Sequence, residues 1–258
     1  MLVAALALVA GATAATAISL AVAMLGFQTS IGALNDLVDA RHDSVAKPRK
    51  PIPAGLIPSR MAIVIAVAAG VVGLAVSASF GVAVLALGAA GYATGIAYDL
   101  FMRRWGLGWL CFAFAFPLLL AWTWVAVAAE LPPAWQVLLP LAAFAGPAIH
   151  LANSLVDMEG DQQAGVRTLA TWLGPTWGPR VLAAMEATVH GLAWVTLAVI
   201  GDVGQGILAA AALASFLAAG GVVLSSSPAS RWREAGWLLQ AGALALLGVA
   251  WVAAVRVA

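Results

Sequence analysis

A polytopic membrane bundle, all α-helical with eight or nine transmembrane helices, is the fold this sequence predicts. Three observations predict it. The chain has 258 residues, of which 64% are hydrophobic and 9% charged, against about 45–50% and about 25% for an ordinary soluble domain. The apolar residues fall into continuous runs near the length of about 20 residues that a bilayer span requires. The few basic residues cluster in alternate connections between those runs. This composition excludes a water-soluble globule, a disordered or fibrous chain and a nucleic-acid-binding surface. A net charge of +1 says little about partners. The single cysteine, Cys111, excludes an intramolecular disulfide and a cysteine-based zinc site.

The apolar runs cover approximately 1–34, 61–79, 82–98, 107–129, 134–153, 181–200, 205–224 and 235–254. Barrel strands would alternate apolar and polar residues, so continuous runs mean helices. The first run is too long for one upright span, since 34 helical residues reach about 51 Å against a core of about 30 Å. It is either one tilted, overlong helix or a short helix, a break near Gly11–Thr13 and then a full span. A signal peptide fits less well, because the stretch lacks a basic start and its hydrophobicity simply continues. Gly91 and Gly95 allow close helix approach and read as general packing rather than a dimer face. Pro117 and Pro147 are expected to kink their helices. Trp105, Trp109, Trp135, Trp177, Trp232 and Trp237 lie near run ends, as interfacial anchors do.

Orientation follows from Lys and Arg. Arg41, Lys47, Arg49, Lys50 and Arg60 follow the first run, and Arg103 and Arg104 the third. Arg167 and Arg180 follow the fifth, and Arg231 and Arg233 the seventh. The intervening connections carry none. The basic connections are therefore expected on the cytoplasmic side of a cell (cytoplasmic) membrane.

The informative feature is an internal repeat of carboxylates. Asn35-Asp36-Leu37-Val38-Asp39 continues to Asp43, and Asn153-Ser154-Leu155-Val156-Asp157 continues to Asp161. Each segment closes an apolar run beside a basic loop. Asn35, Asp39 and Asp43 are spaced i, i+4, i+8 and share one helical face, which Asp36 borders. Asn153, Asp157 and Asp161 repeat the spacing, so a second helical face is expected. Facing each other, the two helices would bring five aspartates to one end of the bundle. Carboxylates near a bilayer are costly and repel one another. Hard divalent cations, above all Mg²⁺, would hold them, typically by one or two carboxylates together with substrate phosphates. Two facing patches therefore suggest a clamp around a diphosphate.

At these residues the sequence resembles the UbiA family of intramembrane prenyltransferases. That family's first motif, Asn-Asp-x-x-Asp-x-x-x-Asp, is complete as Asn35, Asp36, Asp39 and Asp43. Its continuation is matched by Lys47-Pro48-Arg49-Lys50-Pro51-Ile52-Pro53-Ala54-Gly55, with Lys50 in the usual arginine slot. The second motif is present as Asp157 and Asp161, followed by Gly165, Thr168-Leu169 and Gly174. Two features depart from the family: its usual helix count is nine, and its Tyr-and-Lys element after the fourth helix is matched only by Tyr98 with Arg103 and Arg104. The resemblance implies a single membrane domain over 1–258, with motif segments at 35–55 and 153–174. It implies Mg²⁺-dependent transfer of a polyprenyl group from an allylic isoprenoid diphosphate to a hydrophobic aromatic or lipid acceptor within the membrane lipid. Asp36, Asp39, Asp43, Asp157 and Asp161 would hold metal. Asn35, Lys47, Lys50, Arg103, Arg167 and Asn153 would contact the diphosphate. Asp39, Asp157, Lys50, Arg103 and Tyr98 would act in catalysis.

Other polar residues read as structural. His150 is expected to be a satisfied buried histidine near the site, Glu186 and His190 a local i, i+4 pair, Glu159 a solvated helix-end charge and His42 a solvated loop residue. An ion-coupled transporter would place its aspartates near mid-bilayer rather than at run ends. A terpene cyclase would share the metal site without an acceptor. A CDP-alcohol phosphatidyltransferase would need an Asp-Gly-x-x-Ala-Arg string, which the sequence lacks.

Overall fold

The computed structural model describes residues 2–46, 48–200 and 203–257. Lys47 and the side chain of His42 lie outside the described residues. Ten α-helices run in order: α1 (Leu2–Val9), α2 (Ala14–Ala46), α3 (Ser59–Ser79), α4 (Val82–Ala97), α5 (Gly108–Ala128), α6 (Trp135–Val156), α7 (Met158–Gln163), α8 (Leu169–Ile200), α9 (Gln205–Ser225) and α10 (Ser230–Val257). Eight are long and apolar enough to cross a membrane, all but α1 and α7. The chain is an all-helical integral membrane protein.

The first apolar run resolves into the second of its two expected forms. Gly11, at φ +99°, turns the chain where a side chain would be strained. Its backbone N–H donates to Leu8 O, and that of Ala12 donates to Ala7 O. Thr13 then opens α2, its hydroxyl accepting from Thr16 N at 3.2 Å, an N-cap bond. The short α1 is no appendage. Val3, Leu6 and Ala7 are buried, and α1 packs on α2, α5 and α10, with Arg256 of α10 bonding the Val9 carbonyl.

The other main packing partners are α2 with α3, α4 with α5, α5 with α6, α6 with α8 and α9 with α10. Gly95 belongs to this internal packing, because a Cβ there would meet Ile31 of α2 at 2.3 Å. Pro117, Pro140 and Pro147 all lie inside helices.

Two elements differ from the sequence expectation. The sixth apolar run was expected to begin at 181, whereas α8 begins at Leu169. Thr168 and Thr171 cap it reciprocally, each hydroxyl accepting from the other's backbone N–H, and a non-helical Gly174 (φ 71°) bends it before Pro175. Its first turns carry Gly and Pro, which dilute the apolar signal although the helix forms. The second difference is that Asn153, Asp157 and Asp161 do not share one continuous helix. The chain breaks at Asp157 (φ −100°, ψ 11°) between α6 and the six-residue α7.

One close helix approach tests this packing. A Cβ at Gly146 would lie 2.1 Å from the Phe112 carbonyl oxygen of α5, while one at the exposed Gly191 would meet nothing within 4 Å. Gly146→Ala should cost about 1–3 kcal/mol by overpacking. Gly191→Ala should be neutral or stabilise by up to about 1 kcal/mol through helix propensity. Thermal unfolding of the two variants in detergent checks the contrast.

Candidate active site

The unbroken α2 places Asn35, Asp36, Asp39 and Asp43 at one end of the bundle. All three carboxylates have cationic partners. Lys50, in the loop after α2, donates to Asp36 Oδ1 at 2.8 Å and to Asp43 Oδ2 at 2.7 Å. Arg103 makes a salt bridge to Asp39. Partial burial pulls the Lys50 ammonium down, but the hydrogen bonds and charges of Asp36 and Asp43 outweigh it, so its pKa stays above the ordinary lysine value.

Arg103 arrives by a local irregularity. Beyond α4 the helix widens into a π-turn at Tyr98–Met102, then tightens into a 3₁₀ turn at Arg103–Trp105 that ends at left-handed Gly106. This turn also buries Asp99, whose Oδ1 accepts from Asn35 Nδ2 at 3.0 Å. Asp99 thereby orients the first residue of the motif. The sequence reading passed over it, although a carboxylate at the end of an apolar run was a visible signal.

Tyr98 packs edge-on against Phe112 and His150, with ring centroids 5.7 and 5.8 Å away. Glycine at 108 permits this, since a Cβ there would lie 2.7 Å from Tyr98 Cε2 and 3.1 Å from His150 Cε1. His150 is buried as expected, but it is not satisfied: its Nδ1 has no hydrogen-bond partner among the described residues. It is packed as an aromatic ring against both Tyr98 and Phe112, which also touch each other.

The second segment is held from α10. Arg233 is buried, and its guanidinium donates to the carbonyls of Ser227, Pro228 and Val156. It also pairs with Glu159, which is therefore not simply a solvated charge. Arg233 thus fastens the residues on both sides of Asp157. The sequence reading used Arg233 only for orientation. Nothing in its spacing distinguishes it from exposed Arg231, which lies over the Trp232 ring.

Both segments line one polar cavity of about 960 Å³. Asn35, Asp39, Asp43, Lys50, Tyr98 and Arg103 stand on one part of its wall, and Asn153, Asp157, Asp161 and Arg167 on the other. Asp36 is not on the wall and joins the site through Lys50. The convergence is looser than the sequence suggested: among the described residues, no three His, Cys, Asp or Glu side chains come close enough to hold a metal ion. The carboxylates share the lining of one cavity without three of them gathering at a point among the described residues.

A second cavity, of about 370 Å³, is lined almost wholly by apolar side chains of α1, α5, α6, α8 and α10. Phe112, 6.4 Å from Phe116 by ring centroids, links the Tyr98 wall of the polar cavity to the Phe116 wall of the apolar one. Glu186 and His190 form the expected local pair, at 3.5 Å, with Ser215 bonding His190 Nδ1 at 3.0 Å.

Fold and site together define a polytopic helical membrane protein with a carboxylate- and cation-lined cavity at one end of its bundle. The model of the UbiA prenyltransferase family matches residues 1–239, and the chain belongs to that family. It is 28% identical over 170 residues to the bacteriochlorophyll synthase 33 kDa chain of Rhodobacter capsulatus, covering 62% of this chain and 55% of that one. It is 30% identical over 146 residues to digeranylgeranylglyceryl phosphate synthase of Korarchaeum cryptofilum, covering 55% of this chain and 50% of that one. The chain thus spans about half the length of the curated relatives it matches. A UbiA homologue of Aeropyrum pernix superposes with a TM-score of 0.75 at 20% identity, over 96% of this chain and 94% of that one. A homologue of Archaeoglobus fulgidus, solved bound to GPP and Mg²⁺, gives 0.73 at 17% identity, over 99% and 95%. These superpositions establish a shared fold.

Arg233 offers a direct test of how the second segment is held. Removing its guanidinium takes the donor from three part-buried carbonyls, those of Ser227, Pro228 and Val156, at a cost of about 1–3 kcal/mol. Its pair with the half-exposed Glu159 adds little. Arg233→Met should therefore lower thermal stability by about that amount, and Arg231→Met and Glu159→Gln by less than about 0.5 kcal/mol, as measured by unfolding in detergent.

Proposed function

We propose that this chain transfers a polyprenyl group from an allylic isoprenoid diphosphate to a hydrophobic aromatic or lipid acceptor, with Mg²⁺ as cofactor. The reaction would take place at the cytoplasmic face of the cell membrane, in one domain over 1–258. One observation carries the reading: two carboxylate-bearing segments, Glu159 among their acidic residues, line a single cavity together with Lys50, Arg103, Arg104 and Arg167. Carboxylates alone would repel a diphosphate, and cations alone would not need five aspartates. The combination suits an anion bound together with hard divalent cations.

The donor set fits such a cation. Lys50 Nζ already sits between Asp36 and Asp43 at 2.8 and 2.7 Å, a positive charge where carboxylate oxygens converge. Asp36, Asp39, Asp43, Asp157 and Asp161 would hold Mg²⁺, which when bound neutralises the diphosphate and makes it a better leaving group. Lys47, Lys50, Arg103 and Arg167 donate to phosphate oxygens and stabilise the charge that grows as the allylic C–O bond breaks. Asn35 and Asn153 orient the neighbouring carboxylates and the anion. Tyr98 closes the cavity on its aromatic side. The apolar cavity, walled by Leu, Ala, Val and Phe, keeps water from the allylic cation and takes the isoprenoid chain. The acceptor attacks the cation and loses a proton. The relatives support the class of donor and leave two acceptor types, a pigment and a glyceryl phosphate lipid, on an equal footing.

Membranes containing the chain, labelled geranylgeranyl diphosphate and a panel of aromatic and lipid acceptors provide the test. Label should enter an acceptor with Mg²⁺ and not with EDTA. Asp39→Ala and Asp157→Ala should each lower the rate at least about 100-fold, equivalent to about 2.7 kcal/mol of transition-state stabilisation, while the protein remains folded in the membrane. Full activity in either variant overturns the assignment. Cyclised label without an acceptor adduct would replace it with a terpene cyclase.

A further inference from the structure

All three carboxylates of the first motif are held by side chains of the protein itself. Asp36 and Asp43 share the Lys50 ammonium, at 2.8 and 2.7 Å, and Asp39 holds Arg103. In this form, no trio of acidic or imidazole groups among the described residues is gathered for a metal. Asp43 is buried, so it cannot lose its counter-charge to water cheaply. A divalent cation therefore cannot simply be added beside Lys50, because two positive charges would compete for the same oxygens.

We propose that Lys50 is the resident counter-cation of the first motif, and that it leaves its carboxylates for the diphosphate as a divalent cation takes its place. The proposal rests on the reading of this cavity as a diphosphate site. Its consequence is that metal and diphosphate bind interdependently. Metal alone must expel Lys50 with no anion to receive it. Diphosphate alone meets a lysine already committed to two carboxylates. Together, each supplies what the other displaces. Linkage makes the effect reciprocal, and couplings of this kind span about 5–150-fold in affinity. Lysine suits the role better than arginine. Its charge is a compact point on a flexible stem, without the planar fork that locks onto a carboxylate.

The exchange also gives the loop after α2 a task. Lys50 lies seven residues beyond Asp43, in a turn-rich stretch that ends at Pro58 before α3. The ammonium is thereby tethered to the helix whose charges it neutralises, and it can swing without moving a transmembrane segment. Arg103 stands on the opposite footing. It is set by the π- and 3₁₀ turns that follow α4 and is anchored in the bundle.

The test uses the purified full chain in detergent, with Mn²⁺ as probe and inorganic pyrophosphate as the anion. Free and bound Mn²⁺ are separated by electron paramagnetic resonance, with a pyrophosphate-only blank. In the unaltered chain, pyrophosphate should tighten Mn²⁺ binding by about tenfold or more. Lys50→Met should tighten binding of Mn²⁺ alone by about tenfold and shrink the pyrophosphate effect to about twofold. Lys50→Arg, which keeps a counter-cation and adds a fork that grips carboxylates more firmly, should bind Mn²⁺ alone no more tightly than the unaltered chain. Size-exclusion profiles establish that each variant is folded. Binding of Mn²⁺ alone that is unchanged or weaker in Lys50→Met overturns the exchange and leaves the diphosphate reading standing. Failure of the unaltered chain to bind Mn²⁺ with pyrophosphate present overturns both.

Discussion

Charge neutralisation at the end of a membrane bundle is the constraint on which this structure turns. A chain with so few charged residues concentrates five aspartates in two short segments, where like charges repel one another and Asp43 is buried. Each of the three in the first segment has a protein cation within reach. Those cations come from the loop after α2 and from the turn after α4, so two connections must lie at the same end as the carboxylates. The helical order satisfies this, because α2 and α4 both end on that side. The basic connections that alternate along the chain are thus also what supplies the counter-charges.

Much of this arrangement was legible in the sequence because it depends on local periodicity. The spacing of Asn35, Asp39 and Asp43 required only that α2 continue unbroken to its end, and it does. The break between α1 and α2 was legible because glycine and threonine at Gly11 and Thr13 are chemically suited to stop and restart a helix. What was not legible depends on tertiary contact. The same spacing at Asn153, Asp157 and Asp161 suggested a second helical face, yet the chain turns at Asp157. The Arg233 guanidinium, from a helix more than seventy residues later in the chain, binds the Val156 carbonyl at that turn. No local pattern encodes a donor arriving from such a distance. Asp99 was overlooked for a related reason: its significance lies in the Asn35 amide that it receives from α2.

The two segments are therefore built differently despite their matched sequences. The first is continuous in its backbone and draws its counter-charges from a loop lysine and from an arginine set by the turn after α4. The second is bent in its backbone and fastened by a buried arginine. A cavity between such walls can adjust on the first side by moving a lysine, while the second side holds its shape. That asymmetry suits the proposed diphosphate ligand, which brings its own charge: one wall would release a cation while the other kept its shape.

The aromatic layer completes the physical logic. Tyr98 belongs to the polar cavity and Phe116 to the apolar one, with Phe112 and His150 packed between them. An amphiphile with a charged head and a hydrocarbon tail, of the kind proposed as donor, would meet its charged partners on one side of this layer and dry walls on the other. Glycine at 108 is what lets the layer close, because any side chain there would push Tyr98 and His150 apart. The separation matters chemically. Charged side chains that bind a diphosphate attract water, and an allylic cation is destroyed by it. A fold that uses both must keep the two environments adjacent but distinct, and the edge-on and tilted rings of Tyr98, His150, Phe112 and Phe116 stand between them with no hydroxyl except that of Tyr98.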